Sequence, residues 1–193
     1  MDNNNITVKT EIYRILGVDP GTNILGFGIL EVAGKRLKMI DLGVLHLKRE
    51  EEQPVKLQRI FERLQEIIAQ YQPSEMAIET PFYGKNVQSM FKLGRAQGVA
   101  IAAAITKGLT VTEYAAKKIK QAVAGNGNAS KEQVASMLAK TLKIHLNEKY
   151  FDATDALATA VCHFYQSTNR VTGGSKKNDW SAFIKSNPKR VTK

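Results

Sequence analysis

The stretch YRILGVDPGTNILGFGIL, residues 13–30, predicts two adjacent β-strands joined by a tight turn. Apolar residues lead up to Asp19 and resume after the Pro-Gly-Thr that follows it, and Pro followed by Gly is typical of the central positions of a turn. A carboxylate at the end of an apolar strand is costly to bury unless it has a partner. Asp19 is therefore either an ordinary turn residue or part of a functional site.

The pattern on either side of this hairpin predicts an α/β fold. Strands are expected at residues 13–19, 25–33, 36–47, 75–80 and 108–114. Helices are expected at about 53–71, 86–106, 115–123, 130–143 and 152–165. Hairpin-linked strands followed by alternating strands and helices indicate a mixed five-stranded sheet flanked by helices.

Composition indicates one globular domain with a basic tail. The chain has 193 residues, 43 % of them hydrophobic, which is enough for a single core. We expect a flexible extension at 1–12, a domain at 13–166 and a tail at 167–193. The net charge is +10, and residues 167–193 contribute +6 through seven Lys or Arg and one Asp. This charge fits a nucleic-acid partner, but a solvated tail accounts for it about equally well.

Three features favour the cytoplasm as the location of the protein. The longest apolar run, residues 98–105, is too short to span a bilayer. The N-terminal residues lack the apolar core of a signal peptide. The single cysteine, Cys162, excludes an intrachain disulfide. We therefore expect a cytoplasmic protein without membrane association.

Three further acids share the features of Asp19. Glu79 ends the apolar strand MAIE, and Asp152 and Asp155 lie three residues apart at the start of an apolar helix, on one face. Each has an ordinary explanation as a strand end or a helix-terminal acid. Together, four acids at the ends of buried elements without a neighbouring cation would repel one another strongly if they converged, unless a divalent cation lay among them.

The carboxylate oxygens of these acids, as metal ligands, indicate a particular class of metal and reaction. A site with only oxygen ligands favours Mg²⁺, with Mn²⁺ as a substitute, and the chain's three histidines are scattered along the sequence. Paired cations of this kind activate water and stabilise the leaving oxygen in phosphodiester hydrolysis. We therefore expect two Mg²⁺ ions per subunit and, for a basic chain, a nucleic-acid substrate.

Four segments resemble those of a known family. They are ILGVDPGTNILGFGIL, AIETPFYGKNVQSMFKLGRAQGVAIAAA, EYAAKKIKQAVAGNGNASKEQVASML and DATDALATAVCHFY, and they occur within residues 13–166. In this order they resemble the RuvC family of crossover (Holliday) junction endodeoxyribonucleases, which have the ribonuclease H-like fold. The resemblance implies Mg-dependent paired nicking of four-way DNA junctions by a homodimer, and association with the branch-migration complex RuvA–RuvB.

The resemblance also assigns roles to particular residues. It implies that Asp19, Glu79, Asp152 and Asp155 are the catalytic and metal-binding acids. It implies that Phe82 and Lys85 contact DNA, and that Lys120 and Lys131 serve DNA contact or catalysis. The chain departs mildly from the family pattern at Pro81, which precedes Phe82, and in the loop IHLNEKYF before the second pair of acids.

Other features leave alternatives open. Gly94, Gly98 and Ala102 form a stripe of small residues on the long helix, which fits either tight packing on the chain's own sheet or a dimer contact. The loop GNGNAS, residues 125–130, is either a plain interhelical connection or an approach to phosphate. Two other functions also remain open, namely an RNA-processing nuclease on the same fold and a non-catalytic junction-binding protein.

The basic tail carries one short apolar motif. DWSAFIK places Trp180, Phe183 and Ile184 on one face of a possible short helix. This face fits docking either on the body of the same chain or on a partner.

Overall fold

The computed structural model describes residues 11–48, 52–81, 86–146 and 151–172, with only the backbone given for 169–172. Its elements in chain order are β1 (Ile12–Asp19), β2 (Ile24–Ala33), β3 (Arg36–His46), α1 (Gln53–Tyr71), β4 (Glu75–Thr80), α2 (Val87–Ile105), β5 (Thr110–Ala115), α3 (Ala116–Ala124), α4 (Lys131–Leu142) and α5 (Phe151–Thr172). The predicted elements are confirmed, with most boundaries within two residues.

The five strands form one mixed sheet in the order β3-β2-β1-β4-β5. The first three strands are an antiparallel meander, and β4 and β5 run parallel to β1. This is the mixed five-stranded sheet with flanking helices that the resemblance implies, and the predicted fold class is confirmed. Because β1 and β4 are parallel neighbours, their carboxyl ends lie at the same edge of the sheet.

The sheet separates two hydrophobic cores. On one face, Leu16 and Val18 of β1 pack with the buried side chains of α1 and α2. On the other face, Ile15 of the same strand packs with α3, α4 and α5. Alternate residues of a strand point to opposite faces, so this pattern places Asp19 on the α5 side of the sheet.

Helix α5 is longer than the sequence predicts. It ends at Thr172, whereas the expected end was near Tyr165. The hydroxyls of Ser167 and Thr168 both donate hydrogen bonds to the carbonyl oxygen of Phe164. These polar residues, which in the sequence suggest the end of a helix, therefore have hydrogen-bond partners within the helix. Within the described part of the chain, no helix is both long and apolar enough to cross a membrane.

Candidate active site

Two of the predicted acids lie on adjacent parallel strands. Val18 of β1 pairs with Ile78 of β4, so the following residues, Asp19 and Glu79, are neighbours at the same edge of the sheet. Strand β1 ends at Asp19 because Pro20 has no N–H to continue the ladder. Gly21 completes the turn, since a Cβ there would lie 1.8 Å from the carbonyl oxygen of Ile24.

Three strand glycines allow α5 to lie directly on the sheet. A Cβ at Gly17 would lie 2.0 Å from the carbonyl oxygen of Ala156, and one at Gly28 would lie 3.0 Å from the Cα of Leu157. A Cβ at Gly26 would lie 2.0 Å from the carbonyl oxygen of Asp152. Any side chain at these glycines would hold the helix away from the strands.

This close approach brings the second pair of acids to the first. Gly26 is the cross-strand partner of Asp19, so the backbone of Asp152 lies beside the first-strand acid. One carboxylate oxygen from each of Asp19, Asp152 and Asp155 falls within 4.8 Å of the other two. Glu79 is not a member of this three-carboxylate group, but it lines the same cleft as Asp19 and Asp155. The four sequence-predicted acids are therefore placed together.

Two predicted basic residues also line this cleft, which has a volume of about 320 Å³. Lys120 projects from α3, and Lys131 is the first residue of α4. The Lys131 Nζ lies 2.6 Å from the Asp155 Oδ2, and about half of the lysine side chain is exposed. Lys131 thus reaches both the acids and the cleft opening.

The loop before Lys131 is held by hydrogen bonds. Gln121 donates from Nε2 to the carbonyl oxygen of Gly125 and accepts from the N–H of Gly127. Ser130 then begins α4 with a capping box, in which its side chain and that of Gln133 each accept a backbone N–H from the other residue. These contacts fix the point at which Lys131 enters the cleft.

Burial and mutual repulsion shift the titration of two acids. Burial raises the pKa of Asp19 to about 7, and the charge of Glu79 is the next largest cause, followed by those of Asp155 and Asp152. Burial also raises the pKa of Glu79 to about 7, with Asp155 adding to the effect. Nearby lysines oppose both shifts without cancelling them. Without a cation, this cluster therefore resists full ionisation.

Lys131 responds to the same charges in the opposite sense. Burial acts to lower the pKa of its ammonium group, but the hydrogen bond to Asp155 and the charges of the acids outweigh burial and raise the pKa. Lys131 consequently stays protonated and partly neutralises the acids.

These shifts predict that the metal-free protein loses stability as the pH rises. The ordinary pKa values of 3.8 and 4.5 apply in the unfolded chain, whereas the folded values of Asp19 and Glu79 are about 7. The folded state therefore binds more protons between these limits, and the free energy of unfolding falls with rising pH across them. We expect the thermal midpoint in EDTA to fall from about pH 5 to about pH 8.

The Asp19→Asn variant is the control because it lacks one of the two groups, and its profile should be flatter. Saturating Mg²⁺ should raise the wild-type midpoint most at the alkaline end, where the carboxylates are ionised. A wild-type profile as flat as that of Asp19→Asn in EDTA would contradict the proposed repulsion.

Sequence analysis missed one set of functional residues and leaves another set outside the description. Gly17, Gly26 and Gly28 carry no chemistry, yet they position the helix that holds two of the acids. Glycines inside predicted strands are the available signal, because they often mark the close approach of another backbone. Phe82 and Lys85 lie outside the described residues.

Comparison with known proteins identifies the family. The family model described as "Crossover junction endodeoxyribonuclease RuvC" matches residues 15–163. The chain belongs to the RuvC family. This RuvC-family chain is 55 % identical over 185 residues to RuvC of Cytophaga hutchinsonii, covering 95 % of the chain and 90 % of that protein. It is 50 % identical over 181 residues to RuvC of Porphyromonas gingivalis, covering 92 % and 96 %.

A solved RuvC structure has the same fold. The structure of Thermus thermophilus RuvC in complex with a Holliday junction substrate matches this RuvC-family chain with a TM-score of 0.75 and 30 % identity. The match covers 80 % of this chain and 94 % of the other. The family predicted from the four sequence segments is therefore confirmed.

Proposed function

We propose that this chain is a crossover junction endodeoxyribonuclease that resolves four-way DNA junctions by paired symmetric nicks during recombination and repair. The observation that carries the proposal is the cleft lined by three acids and two lysines, with Asp152 clustered beside Asp19 and Asp155, in a chain of the RuvC family. An acidic centre flanked by lysines suits a phosphodiester substrate, because the lysines attract the phosphate that the carboxylates alone would repel.

The donor set of the cleft fits a hard divalent cation. All the converging ligand atoms are carboxylate oxygens, and a bound cation would offset the burial and repulsion that raise the pKa values of Asp19 and Glu79. We propose Mg²⁺, with Mn²⁺ as a substitute and two ions per subunit. Such ions, when bound, activate water and stabilise the leaving oxygen.

The protein's own residues have separate proposed roles. Asp19, Glu79, Asp152 and Asp155 hold the cations and orient the scissile phosphate against them. Lys131 keeps Asp155 in place through their ion pair, and the other N–H donors of its ammonium group are available to the cleft. Together with Lys120 it contacts the DNA backbone, which fixes position without reading sequence.

Phe82 and Lys85 are proposed to contact DNA beside the acids. Both follow β4, which ends at Thr80, and precede the helix that Asn86 caps through its side chain. Glu79 is thus three residues from Phe82, close enough along the chain for one stretch to serve catalysis and junction recognition. We propose that Phe82 stacks on an unpaired base near the junction centre and that Lys85 contacts phosphate.

The decisive test compares a synthetic four-way junction with a linear duplex of the same sequences. With Mg²⁺, the chain should nick the junction symmetrically on two opposing strands and leave the duplex intact. With EDTA, it should bind the junction without cutting it. Equal cutting of junction and duplex would overturn the proposed substrate.

The two alternatives fit the observations less well. An RNA-processing nuclease on the same fold could use similar acids, but the matching family model and the curated relatives are described as crossover junction endodeoxyribonucleases. A non-catalytic junction binder would gain nothing from gathered carboxylates, which repel a phosphate backbone.

We also propose that the protein is a homodimer that uses the outer face of α2. The exposed apolar residues Val87, Phe91 and Ile105 have 60 %, 67 % and 59 % of their surface exposed, and they recur at helical spacing. Gly94 and Gly98 lie on the same face, and a Cβ at either would meet nothing within 4 Å. Packing of these two glycines on the chain's own sheet is therefore wrong, and no described residue covers them, which leaves room for a second copy.

Two-fold symmetry suits the proposed reaction, because two cuts on opposite strands need two acid clefts. The outer face belongs to α2, the next element in the chain after the strand that carries Glu79. A C₂ arrangement is the commonest homo-oligomer.

The dimer proposal predicts that Phe91→Asp produces a monomer that binds junctions more weakly and loses paired nicking. In a dimer, the new carboxylate at position 91 would be buried in an apolar contact without an opposite charge. The cost of this burial disfavours association. Sedimentation velocity at micromolar concentration measures the change. Ile12→Asp is the matched control, because Ile12 is 65 % exposed on β1, and it should stay dimeric. A wild type that sediments as a monomer both free and on a junction would refute the proposal.

Three expectations remain proposals. They are association with the branch-migration complex RuvA–RuvB, residence in the cytoplasm, and the division into an extension at 1–12, a nuclease domain at 13–166 and a tail at 167–193. Most of the tail, including Trp180, Phe183 and Ile184, lies outside the described residues.

A further inference from the structure

An apolar groove lies at the opposite end of the sheet from the acids. It has a volume of about 630 Å³, and its walls include Tyr13 of β1 and Phe164 and Tyr165 of α5. Glu75, the first residue of β4, lies at its edge. Glu79 is four residues further along that strand, so the groove and the acid cleft are separated by about 13 Å of extended chain. The proposed nuclease reaction makes no use of the groove.

The polar edge of the groove is already organised by the protein. Glu75 contacts the buried His163, whose Nε2 lies 2.6 Å from a carboxylate oxygen, and the Nδ1 of the same ring lies 2.8 Å from the Tyr114 hydroxyl. These contacts hold Glu75 at the groove, whose aromatic wall consists of the half-buried Tyr13 and Tyr165 beside the buried Phe164. The opposite edge carries Lys35.

The chain itself contains a segment that suits this groove. Trp180, Phe183 and Ile184 follow the spacing of three and four that places side chains on one helical face. Lysines flank them at 177 and 185, which gives the segment a charge opposite to that of Glu75. An exposed cluster of one tryptophan, one phenylalanine and one isoleucine in an otherwise polar tail would be unfavourable in water.

The length of the connection allows the segment to return to the groove. Helix α5 continues from Thr168, at the groove, to Thr172, a rise of about 6 Å. Residues 173–179, GGSKKND, then span up to about 24 Å when extended. This reach exceeds the distance back down the last turn of the helix, and such a short tether gives an effective concentration on the order of millimolar.

We propose that residues 180–184 of the same chain dock in this groove, with their apolar side chains on the wall formed by Tyr13, Phe164 and Tyr165. Docking in this way covers the groove and holds the basic tail at the end of the sheet away from the acid cleft. The occupant is the chain's own tail because the seven residues 173–179 are long enough to return the segment to the groove of the same chain, which makes the contact intramolecular.

Trp180 reports directly on the proposal, because it is the chain's only tryptophan. In the full-length protein we expect blue-shifted emission and weak quenching by acrylamide. Ser167→Lys places at the groove a charge of the same sign as those of Lys177 and Lys185 without introducing a poor helix former, and it should shift the emission to longer wavelength and increase quenching. Ser136→Lys on α4 is the matched control and should leave both signals unchanged.

A second variant guards against a folding artefact. Phe183→Ala alters only the tail, so it should release Trp180 while the thermal midpoint of the domain stays close to that of the wild type. Solvent-exposed Trp180 in the wild type would overturn the proposal, as would protected Trp180 that does not respond to Ser167→Lys. Protection that is present in the wild type and absent in monomeric Phe91→Asp would assign the groove to the tail of a second copy and would also overturn it.

Discussion

Replacing Asp19 by Asn is expected to lower the rate of junction cleavage by more than about 100-fold, since changes to groups that merely support metal ligands already cost 10–100-fold. The Asn side chain keeps the shape of the carboxylate but loses its charge and one strong oxygen ligand. Asp19 is the acid whose oxygen joins those of Asp152 and Asp155. Junction binding in EDTA should persist, because the proposed phosphate contacts come from lysines.

The same substitution should not weaken the fold. Asp19 is half-buried among other acids, and its pKa is raised to about 7, so removing its charge relieves repulsion. At alkaline pH in EDTA the variant should melt at a higher temperature than the wild type, which separates a lost reaction from lost structure. Glu132→Gln is the matched control, because Glu132 is an exposed acid next to Lys131, and it should cut at the wild-type rate. Wild-type cleavage by Asp19→Asn would refute the proposed centre.

Gly26→Ala is expected to cause the second largest loss, although it removes no chemical group. The new Cβ would lie 2.0 Å from the carbonyl oxygen of Asp152, far inside contact distance, so α5 must move away from β2. Overpacking of this kind costs about 1–3 kcal/mol of stability. A displacement of about 1 Å between reacting groups can lower a rate by about 100-fold. Both the free energy of unfolding and the cleavage rate should therefore fall.

Gly28→Ala is the matched control on the same strand and the same face. Its Cβ would approach atoms of Leu157 at 3.0 Å and beyond, and Leu157 is further along α5 than the acids. We expect a smaller loss of stability and a much smaller loss of cleavage. Urea denaturation and single-turnover cleavage measure the two effects. If the two alanine variants lost equal activity, the specific link between Gly26 and Asp152 would be wrong.

Most of the secondary structure could be predicted because it depends on local pattern. Leu57, Ile60 and Leu64 recur at helical spacing, and the apolar run around Val18 marks a strand before any tertiary contact is considered. The four acids stood out for the same reason, since each lies at the end of an apolar element. The end of α5 could not be predicted in this way, because Ser167 and Thr168 satisfy their hydroxyls within the helix.

The sequence by itself determined the order of the elements and the family, and it predicted the four candidate acids, because each of these depends on residues close together in the chain. Only the tertiary structure decided which groups meet. Asp155 and Lys131 are 24 residues apart and form an ion pair because α4 and α5 pack on the same face of the sheet. The periodicity of Gly94 and Gly98 fits equally well a helix face that packs on the sheet and a face that points away from it. The packing of α2 shows that this face points away from the sheet. Spacing defines a face, but long-range contacts decide what that face touches.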